Sequence, residues 1–164
     1  MPSLQPNSKQ CFVCGLSNPF GLHLKFYETG PGEVTAEYTV PEHYQGYPGV
    51  VHGGIVAAML DEVAGRALMG SGETPRFMVT ARLEVRYRKN VPVGLPLRLT
   101  GLAGKSRGRS ATAVGSICDI EGNLLAEADA LLVDIPADMV STENLGALGW
   151  KVYPEEDFEV NKQP

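Results

Sequence analysis

Residues 50–69 read "VVHGGIVAAMLDEVAGRALM". From Gly54 to Met69 there is no proline and little polarity, which predicts a helix of about four turns. It is apolar nearly all round, so it reads as a buried central helix. Gly53 and Gly54 stand where it should start, with N–H groups that lack intrahelical acceptors and have no side chain in the way. Asp61 and Glu62 interrupt the apolar run. Positions three, four and seven residues from Asp61 are Gly54, Ala57, Ala58, Ala64, Gly65 and Leu68, a face of small residues with room beside it. Glu62 has Arg66 one turn later, in the order that stabilises a helix, and reads as a structural ion pair. Asp61 has no such partner. A carboxylate on a buried face is costly unless it is hydrogen-bonded or functional.

Outward from the helix the sequence alternates. Residues 22–28 and 33–40 carry apolar side chains at every second position, with turn chemistry from Thr29 to Gly32 between them, which predicts a hairpin. A loop rich in glycine and proline, residues 41–54, leads to the helix. After it, residues 77–88 alternate, with Phe77, Val79, Ala81, Leu83, Val85 and Tyr87 on one face and Met78, Thr80, Arg82, Glu84, Arg86 and Arg88 on the other. Weaker strands follow at 95–104, 109–120 and 124–134, the last two joined at Glu121 to Asn123. The order β-β-α-β-β-β-β reads as α+β, an antiparallel sheet wrapped around one helix. This domain occupies residues 22–135, after a lead-in of residues 1–21 that contains a CxxC. The tail, residues 136–164, is expected to begin with a short helix and to be held to the surface through Trp150, Tyr153 and Phe158.

Composition narrows the function. A chain of 164 residues that is 43% hydrophobic fits one domain with a real core. No apolar run approaches the roughly 20 residues of a membrane span, and the first ten residues do not resemble a signal peptide. Three cysteines make no disulfide framework, so the expected setting is a reducing cytoplasm. A net charge of −5 argues against a general nucleic-acid binder. Yet nine of the fourteen Lys and Arg residues lie between Arg76 and Arg109, where Glu84 is the only acid. That strip suits either a solvated strand face or a specific anionic ligand. Cys11 and Cys14 fit zinc poorly, since the other candidate ligands (Cys118, His23, His43, His52) do not supply a second pair at similar spacing. They precede a loop rather than a helix, unlike a redox CxxC, and are read as packing.

Two readings of "HGG" stand side by side. It can be a tight turn with His52 packing at the helix start. Alternatively, the helix N-terminus can stabilise an oxyanion through its bare N–H groups and dipole, with His52 orienting the loop or touching the substrate.

The strings "GYPGVVHGGIVAAMLDEVAG" and "MVTARLEVRYRKNVPVG", with "CFVCGLSNPFGLHLKF" before them, resemble the PaaI-type branch of the hotdog-fold acyl-CoA thioesterases. The resemblance covers residues 11–135. It implies that Gly53, with Gly54 adjacent, polarises the thioester carbonyl. It further implies that Asp61 is the general base or nucleophile, assisted by Thr80, and that subunits form homodimers with joined sheets, often paired again into tetramers. The long tail departs from the family. The implied reaction is hydrolysis of acyl-CoA to free acid and CoA, with no metal and no cofactor beyond the CoA of the substrate. Arg86, Arg88 and Lys89, or Lys105, Arg107 and Arg109, are then candidates for holding the CoA phosphates. Alternatives are a hotdog dehydratase or hydratase, which would move a proton with His52 or His43, and a non-catalytic acyl-CoA sensor.

Overall fold

A helix that lacks proline and has apolar side chains at helical spacing needs a sheet to bury them, and this chain builds one. The computed structural model describes residues 1–70, 74–136, 138–140 and 144–160. Helix α1 spans Gly53–Met69. The strands are β1 (Ser3–Leu4), β2 (Tyr27–Gly30), β3 (Glu33–Thr39), β4 (Met78–Tyr87), β5 (Pro96–Arg107), β6 (Ser110–Asp119) and β7 (Leu124–Asp134), and a short α2 follows at Glu155–Val160. They form one seven-stranded sheet in the order β1-β2-β3-β5-β6-β7-β4. Every pairing is antiparallel.

The sheet wraps α1. Val56, Met59, Leu60 and Val63 of the helix share one core cluster with Leu24, Phe26, Val34, Leu97, Leu99 and Ile117. The close approach depends on two glycines that face each other, Gly101 on β5 and Gly115 on β6. A Cβ on Gly101 would lie 2.0 Å from the Val63 carbonyl oxygen, and one on Gly115 would lie 2.9 Å from that of Leu60. The helix backbone therefore rests where side chains would otherwise stand.

Three features differ from the sequence expectations. First, Leu22, Leu24 and Phe26 are buried as their alternation predicts, but the strand begins only at Tyr27. The backbone ahead of it is taken by the lead-in: Leu22 N–H donates to Phe12 O (2.8 Å), Leu24 N–H to Val13 O (2.9 Å), and Gln5 N–H to Phe26 O (2.9 Å). Second, β4 carries a bulge. Thr80 pairs with Leu132 and Arg82 with Leu131, leaving Ala81 unpaired. The bulge reverses the alternation, because one extra residue shifts every later side chain to the opposite face. Met78 and Thr80 therefore point to the same side as Leu83, Val85 and Tyr87: Met78 and Leu83 pack on the same small cluster, and Thr80 and Tyr87 both bond to α1.

Third, α1 is not buried all round. Gly54 is exposed, and Ala57, Ala58, Asp61, Gly65 and Leu68 are only half-buried, so the small-residue face is open beside β4. The short helix expected at the start of the tail falls partly on residues 137 and 141–143, outside the described residues. The tail returns to the body through Trp150, whose ring lies 5.5 Å from Phe77, through a bridge from Lys151 to Asn7, and through Phe158, which is buried. No helix among the described residues is long and apolar enough to cross a membrane.

Candidate active site

His52 is the N-cap of α1. Its extended backbone (φ −56°, ψ 136°) brings Nδ1 within 2.9 Å of the Gly54 N–H, which donates to it. The neutral ring then carries its proton on Nε2. The His52 carbonyl accepts from Ile55 and Val56. This divides the two glycines that the sequence treats alike. Gly54 N–H is spent on the cap, whereas Gly53 N–H, at the first helical position, has no intrahelical acceptor. Gly53, His52, Tyr47, Tyr87, Lys89 and Asn90 line a cleft of about 560 Å³. Tyr87 OH donates to Gly53 O at 2.7 Å, a role the sequence reading missed because it treated Tyr87 only as part of an apolar face.

Asp61 lies two turns along the same helix. Thr80 Oγ1 donates to its Oδ1 at 2.6 Å, a contact made possible by the β4 bulge. Glu62 points elsewhere, as expected. Its Oε1 accepts from Arg66 Nε at 2.9 Å, and Arg66 is a buried cation, only 3% exposed. The guanidinium also donates to Pro6 O at 2.5 Å and lies 4.7 Å from the Phe26 ring and 5.1 Å from the Trp150 ring. Glu62 thus neutralises a charge that holds lead-in, helix and tail together.

The basic residues separate into three places. Arg86 is on the sheet face away from α1, ion-paired with Glu84, Glu127 and Asp129, and Arg88 pairs with Glu127. Arg88, then Arg86, hold the Glu127 carboxyl below the usual carboxylate range. Those two arginines are engaged by carboxylates across the strand and do not enter the cleft. Lys89 does line it. Lys105, Arg107 and Arg109 cluster at the β5–β6 hairpin, exposed and without an ion pair among the described residues. Strand register puts this hairpin at the Met78 end of β4, since Met78 faces Asp134 and the neighbouring Val133 faces Ser110. Lys89 follows the opposite end, about 30 Å along the strand.

A larger groove of about 1440 Å³ lies between the lead-in and β3, with His43, Tyr38 and Tyr44 in its wall. None of its lining residues belongs to α1. Burial pushes the Tyr38 and Tyr44 phenols up, so both stay neutral. The His43 ring lies 4.3 Å from the Tyr44 ring, tilted by 50° to it. For a metal, the described residues bring together one group of three donors, Cys11, Cys14 and Glu62, within 4.8 Å of one another. A structural zinc site takes four ligands; His23, His43, His52 and Cys118 are not among those gathered here.

A single antiparallel sheet wrapped on one long helix is the hotdog arrangement. Residues 48–126, just under half of the chain, match the model of the thioesterase superfamily. Acyl-coenzyme A thioesterase THEM4 of Rattus norvegicus is 27% identical over 136 residues, which cover 82% of this chain and 57% of that protein. The chain therefore spans little more than half the length of that relative. Among solved structures, the thioesterase superfamily protein RHA08564 is 34% identical with a TM-score of 0.69, over 76% of this chain and 60% of that one. The smu.793 protein of Streptococcus mutans UA159, bound to acetyl CoA, aligns with a TM-score of 0.62 over 68% of this chain and 88% of its own. At 18% identity it shares the fold alone.

Proposed function

We propose that this protein hydrolyses acyl-CoA thioesters, with the Gly53 N–H of one subunit and Asp61 of its partner acting on the same substrate. The observation that carries this reading is the pair of contacts at the two ends of β4, Thr80 to Asp61 at 2.6 Å and Tyr87 to Gly53 at 2.7 Å. Within one chain the donor and the acid are eight residues apart on a helix, about 12 Å of axial rise. A reacting carbonyl needs a donor and an attacking atom each at about 3 Å, so one chain does not supply both.

A second copy does. β4 is an edge strand of ten residues with Val79 44% exposed. An edge that long invites pairing. Antiparallel pairing about a two-fold axis near the strand centre sets Thr80 beside the partner's strand end, where Tyr87 holds Gly53. It would also bring the Lys105, Arg107 and Arg109 hairpin of one subunit toward the other's cleft and Lys89, where the CoA phosphates would find cations.

In the proposed reaction Gly53 N–H and the α1 dipole stabilise the oxyanion that forms at the thioester carbonyl. Asp61, held by the Thr80 hydroxyl, takes a proton from water as it attacks, or attacks the carbonyl itself. When water attacks, the tetrahedral intermediate expels CoA thiolate and leaves the free acid. When Asp61 attacks, the intermediate expels CoA thiolate and leaves an acyl–Asp61 anhydride, which water then hydrolyses to the free acid and the Asp61 carboxylate. No cofactor takes part. Commitment of His52 Nδ1 to the helix cap favours this hydrolysis over the dehydratase reading. The test is a thiol-release assay with short, medium, long and aryl CoA thioesters. Turnover of at least one class that disappears in Asp61→Asn is expected. No thiol release from any class would refute the proposal.

A further inference from the structure

Cys11 and Cys14 lie outside the proposed catalytic machinery, yet their surroundings are specific. The chain turns tightly after Cys11, with Gly15 N–H donating to Cys11 O at 2.8 Å. A Cβ on Gly15 would lie 2.4 Å from both the N and the O of Cys11, so only glycine lets the turn close. The turn places both sulfurs on one side, within 4.8 Å of each other and of a Glu62 carboxylate oxygen.

The two thiols are not equivalent. Cys11 Sγ is half-buried and accepts from the N–H groups of Val13 (3.3 Å) and Cys14 (3.5 Å). Backbone donors aimed at a sulfur favour its thiolate, which is the nucleophilic form. Cys14 is 1% exposed, with the Ser8 hydroxyl 3.8 Å from its sulfur. The outer sulfur is reachable and activated, whereas the inner one is shielded and adjacent. Cys14, donating to the Cys11 sulfur, lowers that thiol to about 6, against the opposing effects of burial and Glu62. The same bond and burial push Cys14 up.

We propose that Cys11 and Cys14 form a reversible thiol–disulfide site, in which Cys11 attacks a small-molecule disulfide and Cys14 resolves the adduct. In the first step Cys11 thiolate forms a bond to one sulfur of the external disulfide, whose S–S bond breaks and whose other half leaves as a thiolate and takes a proton from water. Cys14 then gives up its proton through the nearby Glu62 carboxylate to solvent and attacks Cys11 Sγ, expelling the second half as thiol. The protein dithiol is oxidised to a disulfide and the external disulfide is reduced to two thiols. A disulfide fits a turn of this length, where the two Cα atoms are close. A metal fits less well, because the nearest third donor, Glu62, is already bound to Arg66.

The experiment equilibrates the whole chain in glutathione buffers of graded redox ratio, quenches by alkylation, and reads each cysteine by peptide mass. Cys118, half-buried on β6, is the internal reference. The proposal expects wild type to link Cys11 to Cys14, Cys14→Ser to stop as a glutathione adduct on Cys11, and Cys11→Ser to form neither. In wild type alone, Cys11 should alkylate faster than Cys118, which keeps the test valid if a variant folds poorly. Cys11 and Cys14 remaining reduced while Cys118 forms a glutathione adduct would overturn it. So would stoichiometric zinc in the purified protein that must be removed before either thiol reacts.

Discussion

Replacing Gly101 by alanine adds one methyl group where α1 crosses the sheet. The new Cβ would stand 2.0 Å from Val63 O, 2.8 Å from Val63 C and 3.3 Å from Val63 Cγ2, against an ordinary contact near 3.5 Å. The obstacle is a helix carbonyl rather than a mobile side-chain tip, so α1 must shift by about 1.5 Å to restore that distance. Overpacking of this kind costs roughly 1–3 kcal/mol, and a backbone clash belongs at the upper end. At ~3 kcal/mol the melting temperature of a chain this size falls by about 6–12 °C. The shift also carries Asp61 away from Thr80. A displacement near 1 Å at a reacting group can cost about a hundredfold in rate, so turnover should fall even where the variant is folded. The assay is a thermal melt beside single-turnover thiol release, with Gly30→Ala as control. Gly30 has nothing within 4 Å of its added Cβ and does not have a positive φ, although it ends β2 at a register shift, so its change should stay within about 0.5 kcal/mol. Equal stability of the two variants would refute the packing argument.

Asp61→Asn should lower turnover by two decades or more, the rough range for a positioned acid–base group. Glu62→Gln should spare chemistry but lower the denaturant midpoint, since loss of a buried charge's partner costs up to about 3–5 kcal/mol. Charge reversal at Lys105 and Arg107 should raise KM for CoA thioesters roughly tenfold per lost charge-assisted bond, leaving acyl-pantetheine unaffected, whereas reversal at Arg86 should leave both KM values nearly unchanged. Alkylation of Cys11 should follow a midpoint near pH 6: the folded thiol is depressed, so the thiolate dominates above that pH and reactivity is lost as pH falls through it. The groups facing that sulfur are Cys14, which lowers it, and Glu62, which raises it. A midpoint near that of an ordinary thiol would contradict the hydrogen bond from Cys14, and the backbone donors behind it, that lower the Cys11 thiol.

Some of this was legible in the residues and some was not, for physical reasons. α1 begins one residue before the expected Gly54 and ends at the expected Met69, because a proline-free apolar run leaves few alternatives. The Glu62–Arg66 pair follows from its spacing alone. Residues 22–26 show that alternation reports which side chains are buried, not which strand takes the backbone hydrogen bonds. The β4 bulge was invisible because apolar residues stand on both faces around it, so neither phase looks wrong. That hid the proximity of Thr80 to α1, which only the family resemblance suggested. Arg86 and Arg88 looked free as phosphate ligands because their partners, Glu127 and Asp129, come from β7, some forty residues later.

The shared site is the central claim, and mixed dimers test it most directly. Gly53→Pro suits the backbone, since proline is at home in the first helical position and His52 already has the extended ψ of 136° that a following proline requires. It removes only the donor N–H. Asp61→Asn removes only the acid. Each variant alone should be inactive. When they are co-refolded, every heterodimer holds one intact site and one doubly damaged site, so purified heterodimer should regain about half the wild-type activity per dimer. No recovery in a verified heterodimer would contradict the account, because donor and acid would then come from the same chain.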